Sequence, residues 1–269
     1  MQTLSGITGY PTLIAVFAVL FGLVFGSFAS VLTVRIPAGK SIVYPDSACP
    51  KCGRWLPPWE NVPLLSYLLL RGRCRGCGER IGLFYPLMEI GTAALYVLAV
   101  YAGGLTPVGL AYSGFAVITL PLLIIDLRHR RLPNVLTLAG FSWAILCAVI
   151  AAVLAQDAAG LLTPVLSAAG CAAFFLLLNI VSRGGMGLGD VKLAGVIGAT
   201  LGMVHWQLAA FGIMCGFLAG GISSIWLLLT RRVKFGNTIP FGPYMLLGSW
   251  LAITLGSEAA ISVLRLWYL

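Results

Sequence analysis

Charge is what this sequence has least of. Asp, Glu, Lys and Arg together make up 9% of its 269 residues, against roughly 25% in soluble domains. A soluble fold of this length would need many more polar residues to cover its surface, whereas a bilayer solvates apolar side chains without penalty. With 59% hydrophobic residues and a mean hydropathy of +0.99, the chain is expected to be an all-α membrane protein. Histidine is nearly absent as well, and the only two, His129 and His205, stand at no metal-ligand spacing. Residues 1–34 contain no Lys or Arg, so the first apolar stretch lacks the cationic start of a secretory signal. It is expected to be a retained span with its N-terminus outside. The two halves show no repeat, where transporters usually have one.

The apolar segments are long enough to cross a membrane. They fall near 11–34, 86–103, 107–125, 135–155, 162–181, 190–204, 207–230 and 243–264, which predicts a polytopic bundle of about eight transmembrane helices. The sixth is short and glycine-rich, so seven spans are the alternative. Of the 17 basic residues, 16 lie in or beside alternate connections. That places those connections in the cytoplasm by the positive-inside rule. The net charge of +9 is thereby a topological signal, and membrane lipid rather than nucleic acid is the expected surroundings.

Residues 35–85 differ in composition, being polar, proline-bearing and cysteine-bearing. A piece of about 50 residues cannot bury much core without a metal or disulfides. It reads Cys49-Pro50-Lys51-Cys52 and then Cys74-Arg75-Gly76-Cys77. Two such knuckles aim four sulfurs at one point and can close a tetrahedral zinc site. The alternative is two disulfides, which a reducing cytoplasm disfavours. Four Cys ligands leave no open position, so the zinc is expected to be structural. Cys147, Cys171 and Cys215 lie singly in apolar spans and are expected to be small packing residues.

Of the eight acidic residues, Asp46, Glu60, Glu79, Asp157 and Glu258 fall in ordinary polar or loop positions. Glu89, Asp126 and Asp190 do not. Asp126 ends an apolar run, and Asp190 follows a glycine-rich stretch and precedes an apolar helix. Ionisable groups at membrane depth are costly and are functional hypotheses by default. The third span runs inward and ends at Asp126, and the sixth runs outward from Asp190, so both carboxyls sit at one depth on the cytoplasmic side. Two carboxyls sharing a proton can activate water and protonate a peptide carbonyl. Other readings stay open: Asp190 as a helix N-cap, Asp126 as the partner of Arg128 or Arg130, and the pair as part of a proton-coupled transporter.

The residues also resemble a known family, the bacterial prepilin peptidases of type IV pilus and type II secretion systems. Gly187-Leu188-Gly189-Asp190 matches the GxGD motif of that family's second catalytic aspartate, and the segment from Asp126 to Asn134 resembles the one bearing its first. Gly26-Ser27-Phe28 with Arg35, the four-cysteine lobe, residues 66–72, Tyr85-Pro86-Leu87-Met88-Glu89 and Pro240-Phe241-Gly242-Pro243 match in order. One departure is Ser30, where the family commonly has Asn.

The resemblance implies an intramembrane aspartic protease of the inner membrane, with Asp126 and Asp190 catalytic. Its substrates would be type IV prepilins or pseudopilins, cut after a Gly at the cytoplasmic face. It also implies N-methylation of the new terminus from S-adenosylmethionine, the cysteine lobe marking the bifunctional form. On this reading 1–34 is the first transmembrane helix, 35–85 a cytoplasmic methyltransferase-associated zinc lobe, and 86–269 the protease domain. Glu89 is a candidate for the methyl-transfer region; the alternative is an interfacial carboxylate paired with Arg80 or Arg35. A peptidase without methyltransferase activity and a non-enzymatic assembly component with a zinc docking lobe are the remaining rivals.

Overall fold

The structure is a computed structural model that describes residues 11–183, 186–230 and 240–265. Among these residues it is helical and contains no strand. Its order is α1 (Pro11–Arg35), a 3-10 turn (Pro58–Asn61), α2 (Leu65–Leu69), α3 (Phe84–Gly103), α4 (Pro107–His129), α5 (Asn134–Ala155), a second 3-10 turn (Ala158–Leu161), α6 (Leu162–Val181), α7 (Leu188–Gly202), α8 (Trp206–Leu229) and α9 (Gly242–Arg265).

Among the described residues six helices are long and apolar enough to cross a membrane: α1, α3, α4, α5, α6 with the 3-10 turn before it, and α8. The two other expected spans fall on α7 and α9. With 15 residues, α7 is about 22 Å long at 1.5 Å per residue, short of a hydrocarbon core of about 30 Å. Helix α9 is interrupted at Gly256, where φ is 74° and ψ is 177°. Helix boundaries follow local chemistry. The Thr106 hydroxyl accepts from the Gly109 N–H at 3.3 Å to start α4, with Pro107 in the first turn. Arg130 in the left-handed conformation ends it, donating its N–H to the Asp126 carbonyl at 2.8 Å.

The chain divides into two compact units, one of Met1–Leu98 with Ala116–Pro121 and one of Ala99–Phe115 with Leu122–Leu269. In the first, α1 meets α3 through small residues. A Cβ on Gly22 would lie 2.6 Å from the Ala93 Cα, and one on Gly26 would lie 2.6 Å from the Glu89 Cα. Glycines four apart thus let two backbones touch, the packing that replaces the hydrophobic effect between helices in lipid.

In the second unit α7 is the centre. It packs against α5, α6, α8 and α9, and every residue from Leu193 to Gly202 is buried. Its glycine and alanine content follows from that position, since a Cβ on Gly198 would lie 2.7 Å from the Ala168 Cα of α6. A helix enclosed on all sides needs no lipid-facing stripe. The same enclosure leaves α7 without the one-sided apolar pattern that would have marked its limits in the sequence.

Candidate active site

In the second unit the fold brings the ends of three helices to Asp126 and Asp190. Asp126 lies in the last turn of α4, which continues to His129 rather than stopping at residue 125. Its carboxylate accepts from the backbone N–H of Gly242 at 3.1 Å. Gly242 opens α9 and has no room for a side chain: a Cβ there would stand 2.6 Å from the Asp126 Oδ2. Asp190 sits in the first turn of α7, but Gly187, not Asp190, is the N-cap. The Asp190 carboxylate faces the Gly187 backbone N–H, and the charge of Asp126 is felt at Asp190. Both residues are buried, 5% and 9% exposed.

One apolar side chain fits between the two carriers. A Cβ on Gly189 would meet the Leu132 Cβ at 3.0 Å, and one on Gly242 would meet the Leu132 Cδ2 at 3.4 Å. Leu132, itself 8% exposed, therefore spaces the glycines beside each aspartate. The Lys192 ammonium donates to the Asn134 side-chain oxygen at 2.7 Å, tying α7 to the start of α5. Gly242, Leu132 and Lys192 were not singled out as site residues from the sequence. For Gly242 and Leu132 the signal was nevertheless present in the Pro240–Pro243 and Asp126–Asn134 segments, whereas Lys192 lies in neither.

In the first unit the four cysteines of the lobe converge. Zinc–thiolate bonds of about 2.3 Å in a tetrahedron put the sulfurs about 3.8 Å apart. Here Cys49 and Cys77 are 3.8 Å apart and Cys52 and Cys74 are 3.9 Å apart, with all four within 4.8 Å of one another. The two knuckles share one hydrogen-bond pattern. Gly53 donates to the Cys49 carbonyl and Gly78 to the Cys74 carbonyl, each at 2.9 Å. Both glycines have φ near +70°, at 69° and 70°, the left-handed region that glycine adopts without strain.

Backbone N–H groups of Cys52 and Lys51 pull the Cys49 thiol down to about 6. At Cys77 the Glu79 backbone N–H pulls the same way, but desolvation and the neighbouring sulfurs push it up to about 11. Four sulfurs this close hold four negative charges only around a cation, so the donor set fits zinc. The lobe is closed by Glu60, whose side chain is 4% exposed and meets Arg54 and Arg75 at 2.9 and 3.5 Å.

Glu89 belongs to this first unit. It is buried, and its carboxylate accepts from the Leu64 N–H at 2.8 Å. Among the described residues it forms no ion pair with Arg35 or Arg80. Cys147 is buried, Cys171 and Cys215 are half-buried, and they do not cluster.

Comparison with known proteins gives this arrangement a family. Residues 20–102 match the bacterial peptidase A24 N-terminal domain, and residues 110–228 match the type IV leader peptidase family. The chain is 32% identical to the prepilin leader peptidase/N-methyltransferase of Pseudomonas aeruginosa, with 98% of each chain covered. It is 37% identical to the protein of that name from Bacillus subtilis, covering 89% of this chain and 93% of the relative. A Burkholderia pseudomallei relative of the same name is 33% identical over 90% of this chain. No solved structure matches the chain significantly. With both halves matched and relatives of one name along nearly its whole length, the chain belongs to the type IV leader peptidase family.

Proposed function

We propose that this protein removes the leader of type IV prepilins or pseudopilins at the cytoplasmic face of the inner membrane and then N-methylates the new terminus. The observation that carries the peptidase half is the burial of Asp126 and Asp190, near enough for the charge of one to act on the other, in a chain of this family. One ionised and one neutral carboxyl divide the work. The ionised one takes a proton from water as it attacks the scissile carbonyl, and the neutral one protonates the carbonyl oxygen. Gly187, Gly189 and Gly242 keep side chains away from both, which suits an extended substrate backbone lying alongside. Leu132 helps to exclude bulk water. The alternation of basic connections supports the cytoplasmic placement, and an eight-span topology with α7 and α9 inserted among the six long helices is consistent with it.

Cys49, Cys52, Cys74 and Cys77 would hold zinc, which supplies folding free energy to a lobe too small to stand alone. We assign residues 35–85 to this lobe, 1–34 to the first span and 86–269 to the protease domain. S-adenosylmethionine, when bound, offers an electrophilic methyl: the amine lone pair forms the new N–C bond, the C–S pair returns to sulfur as a thioether, and the amine releases a proton. The chain's part is to position a neutral amine, for which proximity does most of the work.

The test is to mix the purified protein with a prepilin, with and without S-adenosylmethionine, and weigh the product by mass spectrometry. The expected product lacks its leader in both cases and is one methyl heavier only with the donor. An uncut prepilin would reject the reading as a peptidase; a cut but never methylated product would reject its second half.

A further inference from the structure

The first unit contains a cavity of about 320 Å³ that the aspartate pair does not use. Its wall includes Ser30 and Arg35 of α1, Tyr67 of α2, Arg75 of the second knuckle, and Tyr85 and Glu89 of α3. That volume lies in the range of small-molecule sites, and so does its character, mostly apolar with a few convergent polar groups. Glu89 is the unusual member. It is 8% exposed and, among the described residues, has no cation in ion-pair contact. A buried carboxylate without a positive partner is costly and calls for one.

The backbone beside it is strained. Leu64, whose N–H the Glu89 carboxylate accepts, has φ 57° and ψ −46°, outside every region comfortable for a branched side chain. Such outliers persist where the surroundings over-determine them, and they cluster at ligand clamps. The other carboxylate in the wall, Glu60, is already engaged by two guanidinium groups.

We propose that this cavity binds the methyl donor, with the Glu89 carboxylate facing the positive charge of S-adenosylmethionine. The assignment rests on the methyltransferase reading above and gives it a place. The donor carries a sulfonium and an ammonium, a carboxylate and an adenine. The cavity offers a carboxylate for the cationic groups, the guanidinium of Arg35 for the anionic one, and the rings of Tyr67 and Tyr85 for the base. Its position against the cysteine knuckles, with Cys49 and Cys74 in the same wall, makes the zinc lobe one side of the site.

The test reads binding, not turnover. Equilibrium binding of radiolabelled S-adenosylmethionine, and of the neutral thioether S-adenosylhomocysteine by competition, is measured on detergent-purified protein without pilin. Glu89→Gln keeps an oxygen for the Leu64 N–H and removes the charge, while the Ser27 hydroxyl that also hydrogen-bonds the carboxylate can turn to accept from the new amide. It should weaken the sulfonium compound by about tenfold and the thioether much less, so that the preference for the charged ligand collapses. Ser30→Leu, which fills the cavity, should abolish binding of both. Zinc content and thermal unfolding establish that each variant is folded. If the wild type binds the donor and both folded variants bind it equally well, the cavity is not the site, although the methyltransferase reading stands. If the wild type binds no donor and yields no methylated product, that reading falls and this inference with it.

Discussion

The two units solve opposite problems. The lobe of the first unit is short of apolar residues, so polar and covalent-like links hold it: four converging sulfurs, a bidentate Arg54–Glu60 pair and a Lys51–Glu79 pair. The second unit has apolar side chains in excess and holds its helices by removing them, with glycine and alanine along α7 letting backbones meet. In the lobe charge is structural and paired with opposite charge. In the helical unit the two buried aspartates are kept by backbone amides at helix ends, an arrangement that leaves them available for chemistry. Charge met by opposite charge thus builds a shape, whereas unpaired charge in a low-dielectric interior marks a candidate site.

The largest way to break this contrast lies at the aspartates. Asp126→Asn or Asp190→Asn should lower leader cleavage by about a thousandfold or more, the scale on which members of one acid/base unit act, while zinc content and membrane insertion stay normal. Near-normal turnover in a cleavage assay of either variant would remove the pair mechanism. Next comes the metal. Cys49→Ser or Cys74→Ser should reduce zinc from about one per chain to near none and expose 35–85 to limited proteolysis. Stoichiometric disulfides without metal, in protein taken from a reducing cytoplasm, would contradict the zinc assignment.

A third change sharpens the comparison from within the helical unit. Gly242→Ala would place a methyl 2.6 Å from the Asp126 Oδ2. Cleavage should fall by about ten- to a hundredfold through misplacement of the carboxylate, with kcat more affected than KM and the lobe untouched. The smallest effect is at Glu60. Hydrogen bonds from Arg54 hold its carboxyl below the usual range, so its contribution is fully present above the ordinary glutamate value of about 4.3. It is lost as pH falls through the lower folded value. Acid unfolding of the lobe, followed by tryptophan fluorescence, should shift less with pH in Glu60→Gln than in the wild type.

The sequence made the long helices legible because a bilayer imposes length and apolarity together, and six of them are plain in the structure. Helix α7 was the least certain for a physical reason: its small residues face protein on every side and carry no amphipathic signature. The cysteine knuckles were readable from spacing alone, since CxxC geometry is local. Asp126 and Asp190 stood out by the cost of charge at depth, yet their nearest supports did not. Gly242 meets Asp126 across 116 positions of sequence, and Leu132 reaches both glycines only after α4, α7 and α9 have come together. The N-cap reading of Asp190 depended on a helix start three residues off, which the glycine-rich approach to α7 concealed.

The central claim is that a carboxyl pair cuts the substrate and that methylation proceeds elsewhere. It is tested most directly by measuring both reactions on one preparation of Asp126→Asn protein, using an intact prepilin for cleavage and a synthetic peptide beginning at the mature terminus for methylation. The account predicts that the prepilin stays uncut while the peptide gains a methyl at close to the wild-type rate. Loss of both reactions in a variant that keeps its zinc and its unfolding temperature would contradict it, because one site would then serve both.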